Sequence, residues 1–194
     1  MEEDRNFSIS YPFFINTFGK RNDRIMLELY PDASQEQRTY WIERKERLYQ
    51  KYGIEKVTLF PGMEHFLKEL KRGEFPRIIA SSTSPANLDF FLNHTLLGEY
   101  FSDYVSGYDV VNSKPAPDIF LAAAKKIGMK PESCIVIEDA PAGIIAGKLA
   151  GCFVIGLETT SPKEELQEAD LIYKNPEELR LDIVLNAINA ISEK

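Results

Sequence analysis

The stretch Ser133-Cys-Ile-Val-Ile137-Glu138-Asp139-Ala-Pro-Ala-Gly143 decides the fold. From Cys134 to Ile137 it is apolar at every position, the pattern of a strand buried on both faces rather than one that alternates towards water. Two adjacent carboxylates end that run, and a helical stretch follows over Ala142–Ala150. The same unit recurs along the chain. Arg77-Ile-Ile-Ala80 precedes a helix over Pro85–Asn93, and Cys152-Phe-Val-Ile155 makes a third strand. Asp170-Leu-Ile-Tyr173 and Tyr104-Val-Ser106 are weaker strands, and Pro117–Ile127 is another helix. The last helix is expected to open at Asn175-Pro176-Glu-Glu, a cap residue followed by proline and acids in the first turn. It presents Leu181, Val184, Leu185, Ile188 and Ile191 on one face. Strands alternating with helices predict a doubly wound α/β core with a parallel sheet covered on both sides.

Working outward, residues 1 to about 55 carry almost no strand signal. A helix is expected over Asn22–Tyr30, capped by Asn22. A second starts at Ser34, where Ser34 and Gln37 match a capping box, and stops at Gly53. Trp41, Leu48 and Tyr52 recur on one face of it. Phe7-Ser-Ile-Ser-Tyr11 reads either as a short alternating strand or as the lead-in to a helix capped by Ser10 and running to Phe18.

Composition narrows the function classes. The 194 residues carry a net charge of -7, with 44% hydrophobic and 27% charged residues, which excludes a disordered or collagen-like chain. No apolar run approaches the ~18 residues of a membrane span, and Met1-Glu-Glu-Asp-Arg-Asn is not a signal peptide. Cys134 and Cys152 lie in apolar runs and read as buried reduced thiols. An acidic chain without a basic tract makes a poor nucleic-acid binder. A soluble cytoplasmic protein with no nucleic-acid or membrane partner is expected.

In an open parallel sheet, ligands bind beyond the carboxyl ends of the strands, so the residues after each strand matter most. After Ala80 comes Ser81-Ser-Thr-Ser84, either an anion cradle at a helix start or a plain cap cluster. After Ile137 come Glu138 and Asp139, which either hold a hard divalent cation, Mg²⁺ for preference, or cap a helix and meet solvent. Ser113-Lys114-Pro-Ala-Pro117 fixes a lysine beside two prolines, which either neutralises a phosphoryl group or is an exposed loop lysine.

Ser81-Ser-Thr, Lys114-Pro-Ala-Pro-Asp-Ile-Phe120 and Ile137-Glu-Asp-Ala-Pro-Ala-Gly143, with Ala150-Gly151, resemble the second to fourth motifs of the haloacid dehalogenase superfamily. The resemblance is to its branch of β-phosphoglucomutases and sugar-phosphate phosphatases with a helical cap. Phe60-Pro-Gly62 is similar to that branch's return from cap to core, and Phe18-Gly-Lys-Arg-Asn22 to a substrate-facing turn of the cap. The resemblance implies a Rossmann-like core over residues 59–194 and a partial helical cap over 1–58. It implies that Ser81 and the Ser82 amide hold phosphoryl oxygens and that Lys114 offsets charge on nucleophile and phosphate. It gives Mg²⁺ to Asp139 with Glu138, and substrate reading to Lys20, Arg21 and Asn22. Ala140 stands where a serine often follows the Glu-Asp pair.

One motif has no counterpart. The family's first strand ends in Asp-x-Asp, whose first aspartate attacks phosphorus, and no such strand occurs in these residues. The missing strand belongs between those ending at Ala80 and Ile137, so both are expected to show unpaired edges that invite another strand. The expected activity is Mg²⁺-dependent hydrolysis of small phosphorylated metabolites through an aspartyl-phosphate, with the 194-residue chain inactive alone. Phosphomutase action, or non-catalytic phosphate binding, is the alternative. A monomer or a strand-exchanged dimer is expected.

Overall fold

In this computed structural model residues 10–15, 17, 19–53 and 57–192 are described. The first part is helical: α1 (Tyr11–Ile15), α2 (Asn22–Leu29) and α3 (Gln35–Gly53). The Ser10 hydroxyl accepts from the Phe13 amide at 3.3 Å, so the helical alternative holds at Tyr11, while residues 7–9 and Phe18 lie outside the described residues. Ser34 starts α3 as its pattern demands, its hydroxyl accepting from the Gln37 amide at 3.2 Å.

Two expectations fail in this part. Arg21, not Asn22, occupies the cap position of α2, because the Asn22 side chain is buried against α3 instead of turning back on its own helix. The apolar face assigned to α3 does not form either. Leu48 and Tyr52 are exposed, and the buried residue of this helix is Glu46. Trp41 alone meets an aromatic neighbour in α2's flank, its ring 4.5 Å from that of Tyr30.

The chain then enters α4 (Met63–Arg72) through Phe60-Pro-Gly62. Gly62 is needed there: its φ of 83° is left-handed, and a Cβ would run into the backbone of Glu177. From here the α/β pattern runs in order: β1 (Ile79–Ser81), α5 (Pro85–His94), α6 (Leu97–Tyr100), β2 (Tyr104–Ser106), α7 (Asp118–Lys126), β3 (Ile135–Glu138), α8 (Pro141–Leu149), β4 (Phe153–Leu157), β5 (Leu171–Tyr173) and α9 (Leu181–Ser192). The C-terminal helix starts later than its cap signal. Asn175 does accept from the Glu177 amide at 3.0 Å, but it caps a single tight turn, Pro176–Glu178, and α9 begins only at Leu181.

All described strand pairs are parallel, yet they form two sheets. β1 pairs with β2, setting Ile79 against Tyr104 and Ser81 against Ser106. β3 pairs with β4 and β4 with β5, setting Val136 against Val154 and Gly156 against Ile172. Among the described residues β1 and β3 have no strand between them and do not pair with each other. Both sheets nevertheless share one core. Val105 of β2, Val136 of β3 and Val154 of β4 pack with Ile119, Phe120 and Ala123 of α7 and Ile144 and Ala146 of α8. On the opposite face Ile155 and Leu157 meet Phe66 of α4, Leu179 and Val184 of α9. Val154 and Ile155 are neighbours facing opposite layers, and both are fully buried. Each such side chain contributes about 1.5–3 kcal/mol on burial, which is why β4 is apolar at every position.

Candidate functional site

A cleft of about 670 Å³ opens where the carboxyl ends of β1 and β3 meet the helical part. Ser81, Ser82, Lys114, Glu138, Asp139 and Thr160 line it from the α/β side. Lys20, Asn22 and Lys45 line it from the helical side, among Phe13, Phe14, Met26, Leu29 and Tyr49. Arg21 is not part of the lining.

β1 delivers the serines. The Ser81 hydroxyl accepts from the Thr83 amide at 3.3 Å, folding the loop back on itself. The Ser82 hydroxyl donates to the Gly19 carbonyl at 2.6 Å, tying this loop to the helical part. Ser84 stands at the cap position of α5 but does not cap it; its hydroxyl donates to Glu46 Oε2 at 2.9 Å. The loop is therefore not a simple cap cluster, and Ser106 braces it from below by donating to the Thr83 carbonyl at 2.7 Å.

Lys114 is buried, 9% exposed, so the loop-lysine reading of it fails. Its ammonium lies 4.8 Å from the centre of the Phe120 ring and donates to Glu138 Oε1. Glu138 takes two more donors on Oε2, the amides of Asp139 at 3.2 Å and Ala140 at 3.3 Å. The carboxylate fits only because residue 143 is glycine: a Cβ there would overlap it. Asp139 Oδ2 accepts from Thr159 at 3.1 Å and from Thr160. These threonines come after β4, and the rule that hydroxyls just past a strand end mark the site points to Glu158-Thr-Thr as it does to Ser81-Ser-Thr.

On the helical side Lys20, Arg21 and Lys45 each already have a carboxylate. Lys20 reaches Glu28 at 3.0 and 2.9 Å, and Arg21 forks onto Asp23 at 3.0 and 2.9 Å. Arg21 also donates to the Gly107 carbonyl at 3.0 Å and lies 4.5 Å over the Tyr108 ring. Burial pushes the Tyr108 phenol up from its ordinary pKa, with the Asp23 charge adding to it. Asn22 donates to Glu46 Oε1 at 2.7 Å, and Lys45 donates to Asn22 Oδ1 at 2.7 Å and to Glu46 at 3.2 Å. Lys45 and Glu46 escaped the sequence reading because they sit in a run of charges that resembles a solvated helix face. His65 and His94 lie away from the cleft, on Glu69 and on the Phe90 carbonyl.

Asp139 and Glu138 are hard oxygen donors at a strand end, in the same cleft as the Ser81–Ser84 loop. That donor set suits Mg²⁺, which is ordinarily held by one or two carboxylates with water and phosphate completing its octahedron. No cluster of three acidic, histidine or cysteine residues suited to a metal occurs among the described residues.

The family model for haloacid dehalogenase-like hydrolases matches residues 7–151. Hexitol phosphatase A of Escherichia coli (strain K12) is 32% identical over 127 residues, 64% of this chain and 57% of that protein. Beta-phosphoglucomutase of Bacillus subtilis (strain 168) is 35% identical over 146 residues, 74% of this chain and 62% of that protein. The chain thus spans less than two thirds of either relative. The crystal structure of beta-phosphoglucomutase from Clostridium difficile superposes with a TM-score of 0.87 at 26% identity, covering 99% of this chain and 87% of the other.

Proposed function

The chain belongs to the haloacid dehalogenase-like hydrolase family, and from that premise we propose that its cleft serves the Mg²⁺-dependent hydrolysis of phosphate monoesters of small, sugar-like metabolites. The carrying observation is the convergence of Ser81, Ser82, Lys114, Glu138 and Asp139 on one cleft at the ends of β1 and β3, which have no strand between them among the described residues. Ser81 and the Ser82 amide receive phosphoryl oxygens. The Lys114 ammonium, fixed by Glu138, offsets negative charge on phosphate and nucleophile, which is the preorganised electrostatics that phosphoryl transfer needs. Asp139 and Glu138 would hold Mg²⁺, which when bound would polarise the phosphoryl oxygens. Residues through 58 act as a cap over the core of residues 59–194, excluding water as it closes.

The attacking carboxylate is not among these residues. It belongs to a strand ending in Asp-x-Asp seated between β1 and β3, where both free edges satisfy it, and it takes the phosphoryl group from the departing alcohol before water cleaves the acyl phosphate. The 194-residue chain alone is therefore a phosphate-binding scaffold without turnover, monomeric or exchanging strands with a second copy. The lack of Asp-x-Asp also favours a second reading, a non-catalytic phosphate-binding module.

Thermal unfolding with inorganic phosphate and Mg²⁺ tests the binding half. A ligand at 100 times its Kd stabilises by about 2.7 kcal/mol, so saturating phosphate raises Tm clearly, and more so with Mg²⁺ present. No shift with either would remove the reading.

A further inference from the structure

Phosphate at the Ser81–Lys114 end leaves the helical end of the cleft to read the rest of the substrate, so any role for that end rests on the proposed function. Among the described residues, the ammonium groups lining that end are those of Lys20 and Lys45. Neither is free for a second anion. Lys20 is held by both oxygens of Glu28, and Lys45 by Asn22 and Glu46. The Lys20 pair is exposed and weak, but its carboxylate stays beside any incoming anion. Glu46 is different: it is buried, and three side chains hold its carboxylate, Asn22 and Lys45 on Oε1 and Ser84 on Oε2. A second phosphate that recruited Lys45 would uncover the Glu46 charge next to itself.

We propose that Glu46 is a specificity-determining residue that makes the helical end of the cleft electrically neutral, so that the site takes monophosphates with an uncharged, hydroxylated far end and discriminates against bisphosphates. Glu46 does not itself line the cleft; it acts by fixing the Asn22 amide and cancelling Lys45. The flanking Met26, Leu29 and Tyr49 suit the carbon face of such a group. The same arrangement favours hydrolysis over mutase action. A mutase returns its phosphoryl group to a substrate that is already phosphorylated, and so must hold a bisphosphate with a charge at each end.

The test uses the 194-residue chain with Mg²⁺ and three probes, inorganic phosphate, glucose 6-phosphate and fructose 1,6-bisphosphate, their affinities read by calorimetry. Fructose 1,6-bisphosphate is expected to bind no more tightly than the statistical advantage of carrying two phosphates allows. Glu46→Gln keeps the shape and removes the charge, and is expected to raise the ratio of bisphosphate to monophosphate affinity about three- to tenfold. A bisphosphate bound about tenfold more tightly than glucose 6-phosphate by the unsubstituted chain overturns the inference while leaving phosphate binding intact. An unchanged ratio in a folded Glu46→Gln overturns the role of Glu46. No binding of inorganic phosphate overturns the proposed function, and this inference with it. The comparison on the unsubstituted chain decides the matter even if Glu46→Gln does not fold.

Discussion

Lys114 and Glu138 form the pair on which the cleft depends, with side chains 5% and 11% exposed. A charge buried this deeply is tolerated only with its partner, and removing one member of such a pair costs about 3–5 kcal/mol because the other is left uncompensated. Lys114→Met is therefore expected to lower unfolding free energy by about that amount in denaturant titration, and to abolish the stabilisation by phosphate. Gly143→Ala tests the opposite fault. The added methyl displaces the Glu138 carboxylate, with an overpacking cost of about 1–3 kcal/mol, and is expected to weaken Mg²⁺-linked phosphate binding even in a folded variant. Wild-type binding by Gly143→Ala would show that Glu138 has no part in the site. At this scale the sequence points to Ser81, Lys114, Glu138 and Asp139 because each sits at a strand end or in a proline-fixed turn, and the fold brings the four to one cleft. Glu46 escapes that reading, because a buried carboxylate and a solvated one are the same letter, and only the fold brings Asn22 and Ser84 to it.

Elements whose signal is an unbroken apolar run were the readable ones: β3 and β4 fall within two residues of their expected starts because burial on both faces leaves no other pattern. α3 keeps its expected bounds but not its expected apolar face, because its inner face is polar, locked to α5 by Glu46–Ser84 and by Gln50, which donates to Asn87 Oδ1 at 2.8 Å. α9 starts later than its cap signal because that signal serves a single turn. A further tie joins β2 to α5, where the Tyr104 hydroxyl donates to Asp89 at 2.8 Å. That bond to a carboxylate, with burial and nearby acids adding, pushes the phenol up to about 12. A group with its pKa raised in the folded state adds stability in full below its unfolded value, and loses it as pH rises through the folded one. The Tyr104–Asp89 contribution is thus present up to about pH 10 and fades towards pH 12. Ultraviolet titration of the phenols is expected to show a late-ionising tyrosine that disappears in Tyr104→Phe; a profile unchanged by that substitution would contradict the contact.

For the whole molecule, the divided sheet is the feature that joins the fold to the proposed function. The expectation of unpaired edges beside Ala80 and Ile137 matches the two sheets, β2-β1 and β3-β4-β5, joined through a common core but not through a strand among the described residues. No described helix is long and apolar enough to cross a membrane. An apolar peptide ending in Asp-x-Asp-Gly, added in trans, is expected to raise Tm, while the same peptide with a central proline does not, since proline removes a ladder donor. Equal effects of the two peptides would deny a strand between β1 and β3.

The central claim is that these residues bind and polarise a phosphate monoester while the attacking aspartate lies elsewhere. Its most direct test is the hydrolysis of p-nitrophenyl phosphate by the purified 194-residue chain with Mg²⁺. Release of p-nitrophenol is expected to be no faster than in buffer alone; Mg²⁺-dependent turnover that Asp139→Asn abolishes would contradict the claim, by showing a nucleophile within the chain.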